Sequence, residues 1–219
     1  MRDGEVLYES LLGLSPDGSP GHTTRLLGEV ERAVGAAGGW ARIDGIAVGL
    51  GPGSFTGLRV GIASARALGA SRGLAVAGAC TLDALALGLA EAGGAERGRF
   101  AVLDARRGEA FAARYSASGE RLWGPWVGTP GELGERISEL PEPVLAAGSG
   151  AIRFRDELED RGAEVPEDGD AVHRVSARYV CRLAAAGVAP IGDGPLAPIY
   201  LRPPDAERWR ERDGSQTTD

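Results

Sequence analysis

An α/β fold of parallel strands joined by crossover helices is predicted by three observations on this sequence of 219 residues. Short apolar runs alternate with helical-length stretches through the first half, the pattern of a parallel sheet with helices packed on it. The run Gly49-Leu50-Gly51-Pro52-Gly53-Ser54-Phe55-Thr56-Gly57-Leu58-Arg59 joins one such strand to one such helix through glycine-rich backbone. The second half opens with two strands that meet at Arg106-Arg107-Gly108, a hairpin turn.

Taken in chain order, 5–12 reads as a strand. Residues 23–37 read as a helix, because Leu26, Leu27, Val30, Ala33 and Val34 share one side. Residues 43–50 form a nearly continuous apolar run, the mark of a buried parallel strand. Helix 58–72 follows, with Ser54 or Thr56 placed to cap its first turn. Strand 74–79 and helix 81–92 complete the first half, and Gly93-Gly94 reads as the linker. In the second half 99–103 and 110–115 are the hairpin and 122–128 extends its sheet. Helix 131–140, strand 144–147 and helices 153–161 and 176–186 come after. The expected division is 1–94, 95–205 and a frayed, charged tail over 206–219.

The formal net charge is −7, and all 24 basic residues are arginine. A protein that gripped nucleic acid alone would need a basic face to displace phosphate counterions. The acidic residues here are spread along the chain, so a role on RNA calls for a partner that supplies most of the grip. Cys80 and Cys181 are far apart and read as reduced core thiols. No stretch reaches membrane-spanning length, no membrane contact is expected, and a cytoplasmic location is.

The glycine-rich run carries two readings. Backbone N–H groups at a helix start can cradle a phosphate; alternatively the glycines serve tight turning and close packing. A dinucleotide fingerprint fails, because its third glycine would fall on Ser54 or Thr56, and a Walker loop fails for want of lysine. Helix 58–72 is also ambiguous. Leu58, Ile62, Ala65 and Leu68 or Gly69 make one apolar stripe, yet the remaining surface is small and weakly polar: Gly61, Ala63, Ser64, Ala67, Ala70 and Ser71. A helix apolar on more than one side is either sandwiched in its own domain or meets another protein.

The string Gly51-Pro52-Gly53-Ser54-Phe55-Thr56-Gly57-Leu58-Arg59 strongly resembles the hallmark of the TsaB (YeaZ-like) family, which takes part in making threonylcarbamoyladenosine in tRNA. Three segments fit in the right order: Val102-Leu103-Asp104-Ala105-Arg106-Arg107-Gly108-Glu109, Ala147-Gly148-Ser149-Gly150 and Pro198-Ile199-Tyr200-Leu201-Arg202. The resemblance implies a two-lobed actin-like (ASKHA, RNase H-like) α/β fold. Family members open with an apolar strand, an Asp-Thr turn and a second strand before the turn matched by Asp3-Gly4. The first lobe is therefore expected to lack its N-terminal strands, about 10 to 20 residues.

The resemblance further implies a noncatalytic subunit that pairs with the catalytic subunit TsaD through first-lobe helices, over Leu26, Val30, Leu58, Gly61, Ile62, Ser64, Ala65 and Leu68. The ATPase TsaE would join the same complex, TsaC would serve the same pathway, tRNA would be met only through the complex, and a homodimer would form when the chain is alone. No cofactor and no metal are expected. Only His22 and His173 are present, too far apart for a local metal motif. His22 precedes a helix as a cap or exposed residue, and His173 reads as structural or exposed. Gly148-Ser149-Gly150 reads as a turn rather than a nucleophile elbow. Asp104 and Glu109 flank the hairpin turn; they make either a degenerate nucleotide site or a turn whose acids Arg106 and Arg107 compensate. The alternative function is a self-sufficient actin-like phosphotransferase or glycoprotease-type peptidase.

Overall fold

The computed structural model describes residues 1, 4–12, 22–94, 96–187 and 196–202, with the side chains of 22–24 outside that set. Helix α1 (His22–Ala36) leads to strand β1 (Gly45–Gly51), helix α2 (Phe55–Arg72) and strand β2 (Ala75–Cys80). Strands β1 and β2 are parallel, with Gly45 opposite Ala75 and Gly49 opposite Ala79. Ser54 caps α2 by accepting the Gly57 N–H at 3.2 Å, and Gly73 ends the helix in the left-handed region at φ 66°.

Helix α3 (Thr81–Leu89) follows directly. Leu82, Ala84, Leu85, Ala86, Gly88 and Leu89 are all buried, so this helix is apolar around most of its circumference and lies between layers. The second sheet runs β5-β4-β3-β6-β7. Strands β3 (Arg99–Arg106), β4 (Glu109–Tyr115) and β5 (Arg121–Gly128) are antiparallel neighbours, and β6 (Val144–Ala147) and β7 (Ala163–Glu164) add on in parallel. Helices α4 (Pro130–Ser138), α5 (Ser149–Arg153) and α6 (Arg155–Glu159) cover one face of this sheet, and α7 (Ala177–Ala185) packs beside α3, β1 and β2.

Alternation along β3 and β4 sends side chains to two cores. Phe100, Val102, Ala110 and Ala112 meet Leu133 and Ile137 of α4 with Phe154 and Leu158. Ala101, Ala113 and Tyr115 point the other way, into a cluster with Leu50, Ile62, Cys80, Leu82, Leu85 and Ile199. One core thus spans both sheets, and the expected halves share it through α3.

Three expectations are corrected. Segment 5–12 is no strand beyond a single bridge at Glu5. Its polar groups find side-chain partners on helices instead: Tyr8 and Ser10 hydroxyls donate to Glu29, and Glu9 accepts from Ser176 and Arg178. The expected helix 153–161 breaks at Phe154, whose ring is buried and whose φ is −114°, leaving two five-residue helices. Helix α3 ends at Leu89, and Ala92 and Gly93 leave helical geometry before the second half. The expected tail, 206–219, lies outside the described residues.

Candidate functional site

Leu50 and Gly51 end β1 fully buried beneath the segment 196–202, whose Ile199 N–H donates to the Leu50 carbonyl at 2.7 Å. Gly51 has φ 107°, and a Cβ there would press to 3.0 Å from both the Ile199 carbonyl oxygen and Leu58. Only glycine meets both demands. The Gly51 N–H is taken by the Thr81 hydroxyl at 3.1 Å, and Pro52 is buried. Gly51, Pro52, Gly53 and Ser54 therefore serve close packing and capping. Phe55, at the start of α2, meets Tyr200 with ring centroids 5.1 Å apart, while the Arg59 guanidinium lies 3.8 Å over the Phe55 ring and donates to the Tyr200 hydroxyl at 3.3 Å. Thr56 is exposed at the helix start, and Gly57 carries the N–H that the Ser54 cap accepts.

Across a cleft of 660 Å³ stands the β3–β4 hairpin. Its turn is left-handed at Arg106 (φ 63°), Arg107 (φ 57°) and Gly108 (φ 77°), and the two arginines tolerate that conformation at a cost. Asp104 fixes the turn: its carboxylate accepts the Arg106 N–H at 2.8 Å and the Arg153 guanidinium at 2.9 Å, while Ser149 holds its backbone N–H. Glu109 is ion-paired to Arg202, which also donates to the Ala105 carbonyl. Asp104 and Glu109 thus have different arginine partners. Arginines occupy both, and among the described residues no group of three or more His, Cys, Asp or Glu side chains comes together.

The expected partner surface divides. Leu58, Ile62 and Ala65 are 9%, 6% and 6% exposed, packed down toward β1 and β2, and are corrected to core positions of this chain. Burial at every third or fourth residue is what an inward-facing stripe requires. Gly61, Ser64 and Leu68 are half-buried, and Ala63, Ala67, Ala70 and Ser71 are exposed. On α1, Leu26 and Val30 are half-buried, Val34 is buried and Leu27 is 60% exposed. Gly61 lies close to the sheet: a Cβ there would sit 3.7 Å from Val48.

Several organising residues escape a reading of the sequence because their partners are remote. Arg99 is 2% exposed; its two terminal guanidinium nitrogens donate to carbonyls of Gly94, Arg97, Ser116 and Ala117, while its buried Nε has no hydrogen-bond partner among the described residues, and burial pulls its pKa down. His173 is buried, not exposed: Nδ1 accepts the Gly148 N–H at 3.1 Å and Nε2 faces the Pro166 carbonyl at 3.0 Å, which fixes the Nε2–H tautomer. Gly148 starts α5 at φ 118°, so the Gly-Ser-Gly segment is a strand-to-helix turn. Burial pushes the Cys80 thiol up to about 11 and raises that of half-buried Cys181.

The two sheets, the shared helix and the strapped glycine loop define an actin-like, ASKHA-type α/β protein. The family model described as TsaD, tRNA N6-adenosine threonylcarbamoyltransferase, matches residues 13–144. The chain is 30% identical over 203 residues to the Escherichia coli tRNA threonylcarbamoyladenosine biosynthesis protein TsaB, covering 89% of this chain and 86% of that one. An uncharacterized Mycobacterium tuberculosis protein is 37% identical over 193 residues, covering 85% of this chain and 77% of its own length. An uncharacterized Mycobacterium leprae protein is 36% identical over 167 residues, of whose length the match spans 40%. Among solved structures, YeaZ from Pseudomonas aeruginosa superposes with TM-score 0.64 at 26% identity over 82% of this chain and 85% of that one. An uncharacterized protein described as similar to peptidase YEAZ, from the same organism, gives TM-score 0.65 at 26% identity, covering 83% and 84%. The chain belongs to the TsaB/YeaZ-like branch of the TsaD family. No helix among the described residues is long and apolar enough to cross a membrane.

Proposed function

We propose that this chain is a noncatalytic subunit in the formation of threonylcarbamoyladenosine in tRNA, and that it works by docking on a TsaD-type catalytic subunit. The observation that carries the reading is the outward side of α2, where Ala63, Ala67, Ala70 and Ser71 are exposed beside half-buried Ser64 and Leu68. Small side chains let a facing helix approach closely, and Leu27 adds exposed apolar area on α1. Docking removes that area from water at about 25 cal/mol per Å² and fixes the catalytic partner's conformation. The TsaE-type ATPase joins the same assembly, tRNA is held mainly by the catalytic subunit, and a second copy of this chain occupies the face when TsaD is absent. The setting is the cytoplasm.

The arginine-occupied Asp104 and Glu109 weigh against the competing phosphotransferase reading, since a metal and phosphates need free carboxylates there. The peptidase reading takes its support from the description of one Pseudomonas aeruginosa structure. Both would have the isolated chain turn over substrate.

Ser64→Arg and Ala67→Arg test the proposal, because each places a charge where the partner would desolvate it, at a cost of roughly 3 kcal/mol or more. Gly61 is the poorer choice, given Val48 beneath it. The variants are expected to melt like the parent by circular dichroism and to lose capture by TsaD and stimulation of tRNA modification. A folded variant that binds TsaD normally removes the interface, and turnover by the repurified chain alone removes the noncatalytic role.

A further inference from the structure

Strand pairing in the second sheet sets Arg99, Tyr115 and Arg121 side by side: Arg99 of β3 lies opposite Tyr115 of β4, and Tyr115 lies opposite Arg121 of β5. Residues paired in this way share one face of a sheet. That face meets α3, whose Asp83 accepts from both the Tyr115 hydroxyl and Arg121 Nη1 through the single oxygen Oδ1. These four residues line a cavity of 450 Å³. Ala86 and Leu87 of α3, Ala90 just past its end and Leu183 of α7 supply further wall, so the cavity is part charged and part apolar.

The two arginines are held differently. Arg121 commits Nη1 to Asp83, whereas its Nε and Nη2 have no partner among the described residues, and 27% of its side chain is exposed. Those two nitrogens form one edge of the planar guanidinium, and such an edge takes both oxygens of a carboxylate. The terminal nitrogens of Arg99 donate to backbone carbonyls, its Nε is unpartnered, and among the described residues no carboxylate pairs with it. A buried charge without an opposite charge is costly. An anion on Arg121 lies in the field of Arg99, which a half-buried site screens less than water does. A volume of 450 Å³ falls within the ~300–1,000 Å³ of sites that enclose a small organic group.

We propose that this cavity binds a small organic monoanion, a carboxylate with an aliphatic body, its oxygens on the Nε and Nη2 edge of Arg121 and its body against Ala86, Leu87, Ala90 and Leu183. Asp83 offsets the Arg121 charge, so the ligand answers the charge of Arg99 and a single negative charge suffices. An ammonium group on the ligand would bring positive charge back beside Arg99 and weaken binding. None of these residues lies on α1 or α2, so the site is separate from the proposed docking face.

The test titrates the full chain with isocaproate, isohexyl alcohol, leucine and acetate, read by saturation-transfer NMR on the ligand methyl signals. Isocaproate is expected to bind about tenfold more tightly than the others: the alcohol lacks the charge, leucine carries an ammonium group and acetate lacks the apolar body. Arg121→Gln keeps an amide N–H for Asp83 but removes the charge and the planar edge, and should weaken isocaproate about tenfold. Leu87→Gln, which replaces apolar wall by an amide, should weaken it severalfold. Circular dichroism melting checks that both variants fold; should Arg121→Gln fail to, the ranking of the four ligands on the parent chain decides. Several results overturn the proposal. Isocaproate that does not bind the parent at millimolar concentration removes the site. Isohexyl alcohol binding as tightly would make the cavity merely apolar, acetate as tightly a bare anion site, and leucine more tightly an amino-acid site. Unchanged isocaproate binding in folded Arg121→Gln would put the ligand elsewhere.

Discussion

The Tyr115 hydroxyl donates to Asp83 Oδ1 at 2.7 Å, joining the last residue of β4 to the first turn of α3. Arg121 of β5 donates to the same oxygen at 2.7 Å. Burial raises the Tyr115 pKa, and the neighbouring Asp83 charge raises it further, so the phenol stays protonated and remains a donor. One carboxylate therefore ties the helix shared by the two sheets to two strands of the second sheet.

Removing that carboxylate should cost far more than removing the hydroxyl. Asp83→Ala leaves a buried phenol and a half-buried guanidinium without their acceptor and is expected to destabilise by about 3 kcal/mol, against about 1 kcal/mol for Tyr115→Phe. Urea unfolding of both variants checks the order. Equal midpoints would show that Arg121 and Tyr115 find other partners.

His173 predicts a second stability effect. His173→Ala strips the Gly148 N–H of its acceptor deep in the fold, and a buried unpaired donor costs about 1–3 kcal/mol. Hydrogen exchange at Gly148 should quicken in that variant more than exchange in α4, which is remote from the change.

At Gly148 itself a side chain has no room. The backbone is at φ 118°, and a Cβ would collide with the Val102 carbonyl oxygen and with Leu85. Gly148→Ala should destabilise by about 3 kcal/mol or more, whereas Gly162→Ala, with open space around its Cβ but φ 93°, should pay only the conformational penalty of about 1 kcal/mol. Thermal melts of the two variants separate steric collision from backbone strain.

Acid should loosen the N-terminal segment from α1. Hydrogen bonds from the Tyr8 and Ser10 hydroxyls, with Arg32 beside it, lower the Glu29 carboxyl from 4.5 to about 2. A carboxylate favoured in the folded state stabilises fully above the unfolded value and loses that contribution as the pH falls from about 4.5 toward about 2. The difference in melting temperature between the parent and Glu29→Gln should accordingly shrink across that window and close near its lower end. A difference that stays constant down to pH 2 would place the carboxyl outside this network.

Much of the frame is legible before any coordinates. The apolar run before Gly51 and the Ser54 cap locate β1 and α2 within a few residues, because local chemistry dictates both. The hairpin is readable from its Arg-Arg-Gly turn. Periodicity alone does not say what a stripe faces: Leu58, Ile62 and Ala65 fit a partner surface as well as a core, and only the sheet beneath them decides. Strand β7 is too short to carry an alternation. The carbonyl cage of Arg99, the clasp of Glu9 on α7 and the pairing of Glu109 with Arg202 join residues distant in sequence, and no local signal announces them. In the cleft, the residue types were visible in the motif, whereas the neutralisation of both carboxylates belongs to tertiary packing.

The bond from Ile199 to Leu50 also sets a timetable for synthesis. At about 5–20 residues per second, a ribosome needs on the order of ten seconds after Leu50 emerges before Ile199 can follow. Throughout that interval the end of β1 lacks its cover, and the nascent chain shows apolar surface that chaperones bind and proteases find. A messenger cut short before the codon for Ile199 would yield a product with most of its elements and an open first core, marked for removal by that one exposed patch.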